Sequence, residues 1–118
     1  MKPVVLIGEW KLMGKRTIGI TIFPFIFLKK SYFDRQPNDV LETTINHEKI
    51  HIKQQIELLV VFFYLWYFIE YYIKNFKYTF KDDVYMNLSF EREAYENESN
   101  KDYLKTRKFW SFVKYIIK

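Results

Sequence analysis

The sequence predicts an α+β fold in a single domain spanning residues 1–118. An N-terminal β-hairpin or small sheet precedes a long helix, a second helix carrying glutamates, and a short C-terminal helix. Three observations predict this order. All three glycines and all three prolines lie within the first 37 residues. That same stretch is rich in β-branched and aromatic residues. Beyond it, helical patterning runs on without a Gly or Pro to stop it.

Residues 3–10 (PVVLIGEW) and 17–28 (TIGITIFPFIFL), with a turn signal at Lys11–Arg16 around Gly14, read as a β-hairpin or two adjacent strands. Thr17, Gly19 and Thr21 alternate with Ile18, Ile20 and Ile22, the period of a half-buried strand. Pro24 has no N–H for a ladder, so the second strand is expected to lie at an edge or to bend there. Residues 29–37 form a polar connection. Asp39 with Glu42 reads as a capping box, and the helical pattern that follows runs from Val40 to about Lys74. A helix that long would span roughly 50 Å. A chain of this size has a radius of gyration of only about 13–14 Å. The helix must therefore break, protrude, or pack on something outside its own core. Residues 75–88 read as loop. Ser89 is placed to cap the next helix, with Glu91 and Glu93 in its first turn, and residues 109–117 as a short aromatic helix.

Composition narrows the chemistry. There is no cysteine, which excludes disulfides, thiolate metal sites and cysteine nucleophiles. No Gly-rich loop is available to cradle phosphates. The net charge of +5 and pI near 9.3 favour an anionic partner surface. The N-terminus shows no secretory pattern, so the expected location is intracellular, cytoplasmic or peripheral on the inner face of the membrane.

The two histidines of the chain fall together in His47-Glu48-Lys49-Ile50-His51, an H-E-x-x-H motif inside the long helix. The i, i+4 spacing stacks both imidazoles on one helical face, where they can fill two corners of a zinc tetrahedron. Glu48, beside the first of them, can take a proton from activated water. A catalytic zinc needs a third protein ligand and an open position. With no other His and no Cys, that ligand must be a carboxylate. Glu91 and Glu93 are the candidates. They stand about 200° apart on a helix, so only one can face the metal.

These residues resemble the gluzincin branch of the zincin metallopeptidases, and the short β-then-helix order is similar to the minimal members called minigluzincins. The resemblance covers about residues 17–98. In gluzincins the third ligand is a glutamate on a second helix, often opening an E-x-x-A-D pattern. Position by position this implies Glu91 as ligand, with Ala94 letting the two helices approach, and leaves Glu93 as the second choice. Tyr95 stands where many gluzincins carry an aspartate that orients a ligand histidine. Its hydroxyl is a candidate to support the site or to steady an oxyanion. The extension through Gln54 and Gln55 is similar to that of short zincin-like domains. The resemblance implies a zinc-dependent peptidase acting on a peptide or protein substrate, with strand 17–28 as the edge that would hold an extended peptide. The alternative expectation is a zincin-like scaffold without turnover, associated with a membrane or a partner.

Leu58 to Ile69 is twelve residues without a charge. That is shorter than the roughly 20 needed to cross a bilayer. Residues 58–73 can serve as a core helix, as an element at a membrane interface, or as a contact with another subunit. The C-terminal residues 101–118 carry six Lys/Arg against one Asp, interleaved with Phe109, Trp110, Phe112 and Tyr115. A solvated basic face over an aromatic core side is the expected reading. With no nucleic-acid-binding motif in the chain, nucleic acid is not an expected partner.

Overall fold

Residues 17–28 do not form one strand. In the computed structural model, which describes residues 3–9 and 18–116, the chain reverses at Phe23–Pro24, a cis peptide bond. Pro24 cannot continue the ladder. The segment therefore becomes a hairpin of β2 (Gly19–Ile22) and β3 (Phe25–Lys29), antiparallel, with Ile22 opposite Phe25 and Gly19 opposite Leu28. The first strand, β1 (Val4–Gly8), joins the other edge of β3 in parallel, giving the order β1-β3-β2. A hairpin thus lies within the second segment, while the two segments, expected as a hairpin or as two adjacent strands, are adjacent through β1 and β3. The turn signal at Lys11–Arg16, and Thr17, lie outside the described residues. On the inner face of the sheet, Ile26 and Leu28 are fully buried and pack with Ile52, Phe23, Phe33 and Ile45.

The connection after β3 contains a short helix, α1 (Lys30–Arg35), with an exposed Lys30–Asp34 ion pair one turn apart. The long helix α2 runs from Asn38 to Glu57. It starts directly behind Pro37, and the expected Asp39–Glu42 capping box does not form. Glu42 reaches Lys101 instead, while Asp39 sits in the first turn, where the helix dipole favours an acid.

The helical pattern breaks at residues 58–60. Leu59 and Val60 adopt positive φ values of 55° and 52°, a conformation that costs a non-Gly residue about 1–3 kcal/mol. The next helix, α3 (Val61–Lys74), leaves at 109° to α2. No Gly or Pro marks the break. It is held by tertiary contacts: Leu58 and Phe63, on either side of it, join Phe90 and Phe112 in the second core cluster. Phe90 and Phe112 are fully buried, and each contributes on the order of 2–3 kcal/mol by leaving water.

Residues expected as loop include α4 (Lys81–Met86). Helix α5 (Ser89–Asn97) follows, then a single turn α6 (Tyr103–Thr106) and a 3-10 helix over Ser111–Tyr115 in place of the expected helix over 109–117. Ser89 does not cap α5. Its backbone N–H and its hydroxyl both donate to Glu70 of α3, the hydroxyl at 2.7 Å. Lys74, one turn on, pairs with the same carboxylate at 2.8 Å. The charge that interrupts the apolar run therefore faces inward and fastens α3 to the start of α5. The Cα radius of gyration is 14.1 Å. No single helix among the described residues is long and apolar enough to cross a membrane.

Candidate metal centre

Helix α2 carries an unusual interior. Three of its ten buried residues are aliphatic, and most of the rest are the polar groups of the motif and its extension: Asn46, His47, Glu48, His51, Gln54 and Gln55. Such burial is tolerated only when the polar atoms are hydrogen-bonded. Here they are; among the described residues no buried side-chain nitrogen or oxygen lacks a partner.

Helix α5 lies across α2 and supplies Glu91 from its first turn, with the fully buried Ala94 one turn on. Glu91 Oε1 stands 3.2 Å from His47 Nε2 and 3.1 Å from His51 Nε2, and the two Nε2 atoms are 3.2 Å apart. All three side chains are buried. Donors about 2.0–2.1 Å from a tetrahedral metal lie roughly 3.4 Å from one another. This triangle therefore has about the size of one face of such a site, and two imidazole nitrogens with one carboxylate oxygen form a donor set that can hold a metal ion.

The opposite ring nitrogens explain why both Nε2 atoms point inward. His51 Nδ1 donates to Gln54 Oε1 at 2.7 Å. The Gln54 amide cannot be reversed, because its Nε2 donates to the Phe90 carbonyl at 3.1 Å and to Glu93 at 2.8 Å. His47 Nδ1 lies 3.3 Å from Glu98 Oε1. With Nδ1 protonated against an oxygen acceptor, each Nε2 is left with its lone pair toward the centre, the tautomer a metal requires.

Without a metal the triangle is an ion cluster. Burial pulls the His47 imidazolium down, but hydrogen bonds to Glu91 and Glu98 outweigh it and hold the group up at about 10. His51 is likewise penalised by burial and raised by the Glu91 charge. Burial pushes Glu91 up, but the neighbouring imidazoliums pull it well below the usual carboxylate range. A divalent cation would replace those protons as the positive partner of Glu91.

Glu93 does not face this centre. Two residues along α5 from Glu91, it is fully buried against Tyr103 and Arg107. Arg107 also holds Glu57 at 2.8 Å. Glu91 and Glu93 thus divide as the helical angle requires, one toward the histidines and one into a buried ion pair.

Glu48 lies on the β2 side of α2. Its carboxylate accepts a hydrogen bond from the Thr21 hydroxyl. Thr21 is 5% exposed, so it serves the site and does not line an open strand face as its alternation with isoleucines predicts. Gly19 opens the space beside it: a Cβ there would come within 3.0 Å of Glu48 Oε1. Gln55 fastens the hairpin to α2, accepting from the Phe23 N–H and donating to the Thr21 carbonyl, both at 2.7 Å.

A cleft of about 550 Å³ opens over these groups, with His47, Glu48, His51 and Glu91 among its lining residues. Residues 18–21 of the β2 edge form one wall, and Tyr64, Tyr67, Tyr85 and Tyr95 add aromatic ones. The ring of Tyr95 packs edge-on against His47 with centroids 4.4 Å apart. Its hydroxyl is paired with Tyr85. Burial and the Glu91 charge raise both Tyr67 and Tyr85, so their hydroxyls stay protonated. The Tyr67 hydroxyl approaches Glu91 Oε2 at 3.5 Å.

Sequence reading missed Glu98 as the partner of His47, because 51 positions separate them and no local pattern links them. It also missed Arg107, whose role depends on two acids on different helices. Neither a family model, nor a curated protein, nor a solved structure matches this chain.

Proposed function

We propose that this protein is a zinc-dependent metallopeptidase of gluzincin type, with His47, His51 and Glu91 as metal ligands and Glu48 as general base and acid. The observation that supports this most directly is the buried triangle of two Nε2 atoms and one carboxylate oxygen at the floor of a cleft that Glu48 also lines. Zinc supplies the Lewis acidity that polarises a carbonyl and acidifies water to near neutrality. Within the cleft, Glu48 is the carboxylate available to accept a proton from the attacking water and pass it to the leaving amine. The Thr21 hydroxyl orients that carboxylate. The β2 edge at Gly19 would hold an extended peptide by main-chain hydrogen bonds, since the Thr21 carbonyl and Phe23 N–H beyond it are taken by Gln55. Tyr95, edge-on to His47 with its hydroxyl paired to Tyr85, supports the site by holding that imidazole.

Metal analysis and peptide cleavage test the reading together. Glu48→Gln should keep stoichiometric zinc and lose hydrolysis by about 10²–10⁴-fold. Equal cleavage by both forms removes Glu48 from the role. Full zinc loading without cleavage by the unaltered protein favours a zincin-like scaffold that binds without turnover.

A further inference from the structure

The outward face of α3 takes no part in the metal centre. At about 100° per residue, Val61, Phe62, Leu65, Phe68, Ile69 and Tyr72 fall within one arc, which Ile73 and Phe76 extend to about 140° in all. Every one of them is exposed, Tyr72 by 67% and Phe76 by 79%. No charged residue falls in the arc, since Glu70 and Lys74 lie on the inner side and pair there. Phe62, Leu65, Ile69 and Ile73, with the paired Glu70 and Lys74, line a mainly apolar groove of about 540 Å³ that ends on Ile116. A contiguous apolar surface of this kind marks a docking face.

The surroundings of the groove indicate what it meets. The C-terminal segment reaches it through Ile116 and through Phe112, whose ring packs on Trp66 with centroids 5.4 Å apart. That segment exposes Lys108 and Lys114, and Lys105 paired with Asp102 at 3.2 Å, together with Phe109, Trp110 and Val113. At the other end of α3, Lys77 and Lys81 are exposed beside Phe76 and Phe80, with Asp82 and Asp83 following. Anionic headgroups would neutralise the C-terminal lysines that flank this apolar face.

We propose that α3 seats this protein on an anionic lipid surface. The helix lies in the plane of the interface with its outer arc among the acyl chains, and the C-terminal lysines rest on the headgroups. It lies on the bilayer without crossing it: α3 has 14 residues, and only together with α2, bent by 109°, does it reach the length and apolarity of a span. Phe68 belongs both to this arc and to the cleft wall, so docking brings the mouth of the cleft to the lipid surface.

Vesicle flotation of the whole chain tests this, with phosphatidylcholine vesicles either neutral or containing about one-third phosphatidylglycerol. The protein should float with the anionic vesicles. Partitioning should fall by about tenfold or more in Leu65→Ser/Ile69→Ser. It should fall by about several-fold on neutral vesicles and in Lys105→Glu/Lys108→Glu/Lys114→Glu. Leu65 and Ile69 are exposed, so the serine variant should keep its helical circular dichroism and its zinc stoichiometry, which separates this surface from the metal centre. Three results overturn the proposal: no flotation on either vesicle, flotation that the serine variant does not weaken, or equal binding to neutral and anionic vesicles. A lipid-free dimer that the serine variant dissolves overturns it too, and assigns the face to a second copy.

Discussion

Helices α2 and α3 follow each other with three residues between them, yet they treat water in opposite ways. Helix α2 buries histidines, glutamate and glutamines, whereas α3 buries only Phe63 and Glu70 and turns most of its apolar side chains outward. Ordinary amphipathic logic would reverse both. The contrast shows what burial is for in each. In α2 it removes polar groups from water so that they hold one another in a fixed geometry, and partners from α5 and β2 satisfy them. In α3 the inner face is used for attachment, through Phe63 to the aromatic core and through Glu70 to Ser89, and the outer face is left unsatisfied by the chain itself.

The sharpest way to break the comparison is at α5, which satisfies the interior of α2. Glu91→Ala should abolish stoichiometric zinc binding in equilibrium dialysis. Glu93→Ala, two residues on, should leave the zinc ligands in place but take one of its two carboxylates from Arg107, which keeps Glu57, and remove the acceptor of Tyr103. Its cost should appear in denaturant unfolding, at about 1–3 kcal/mol. Loss of zinc only in the second variant would reverse the assignment of the two acids.

A smaller effect is expected from the groups that hold the imidazoles. Gln54→Ala and Glu98→Ala each remove the acceptor of one Nδ1 proton and should weaken zinc affinity by about 10–100-fold, measured by competition with a chelator. Unchanged affinity would mean that the rings are held by packing alone.

The pH dependence of stability should separate the metal-free from the metal-loaded protein. In the metal-free form His47 is raised from an ordinary value of 6.5 to about 10. A raised group stabilises fully below its unfolded value and loses that contribution as pH rises toward the folded one. Glu91 is lowered from 4.5, so its contribution is present above that value and fades as pH falls. Metal-free stability from this cluster should therefore be greatest between about pH 4.5 and 6.5 and decline toward pH 10. Zinc requires both imidazoles deprotonated, so the gap in melting temperature between zinc-loaded and chelated protein should widen over the same rise. A gap that narrows instead would exclude the histidines as ligands.

The smallest effect concerns the break between the two helices. Leu59 is exposed by 71% and holds a positive φ of 55°. Leu59→Gly should leave the melting temperature unchanged or raise it, by up to about 1 kcal/mol in stability. The same change at Leu65, exposed within α3, should cost about 1 kcal/mol. A like cost at both positions would show that the reversal carries no strain.

Periodicity and turn chemistry were enough to place strands before residue 30, helices after it, and both histidines on one helical face. They also required that one of two acids, Glu91 or Glu93, face away from the metal, because α-helical angles depend on spacing alone. The helical pattern across residues 40–74 was too long for a chain of this size and had to break, protrude or pack elsewhere, but the place of the break at Leu59 and Val60 was not legible, because a positive φ in ordinary residues leaves no mark in composition. Of the two arrangements open for the strand segments, a hairpin or two adjacent strands, the sequence could not choose for a related reason: Pro24 showed that the strand had to stop or bend, but not that the chain would return on itself and leave β1 to pair in parallel.

What the sequence determined by itself is local: the i, i+4 pair of imidazoles, Glu48 next to the first, the absence of any sulfur ligand, and an apolar segment too short to cross a bilayer. What only the tertiary structure decided is which distant groups complete those beginnings. Glu98 on His47, Thr21 on Glu48, Arg107 between Glu57 and Glu93, and Glu70 on Ser89 each join positions 14 to 51 residues apart. The physical reason is that a backbone pattern encodes direction along one helix or strand. The hydrogen-bond partners of a buried polar group are set by where other elements come to rest.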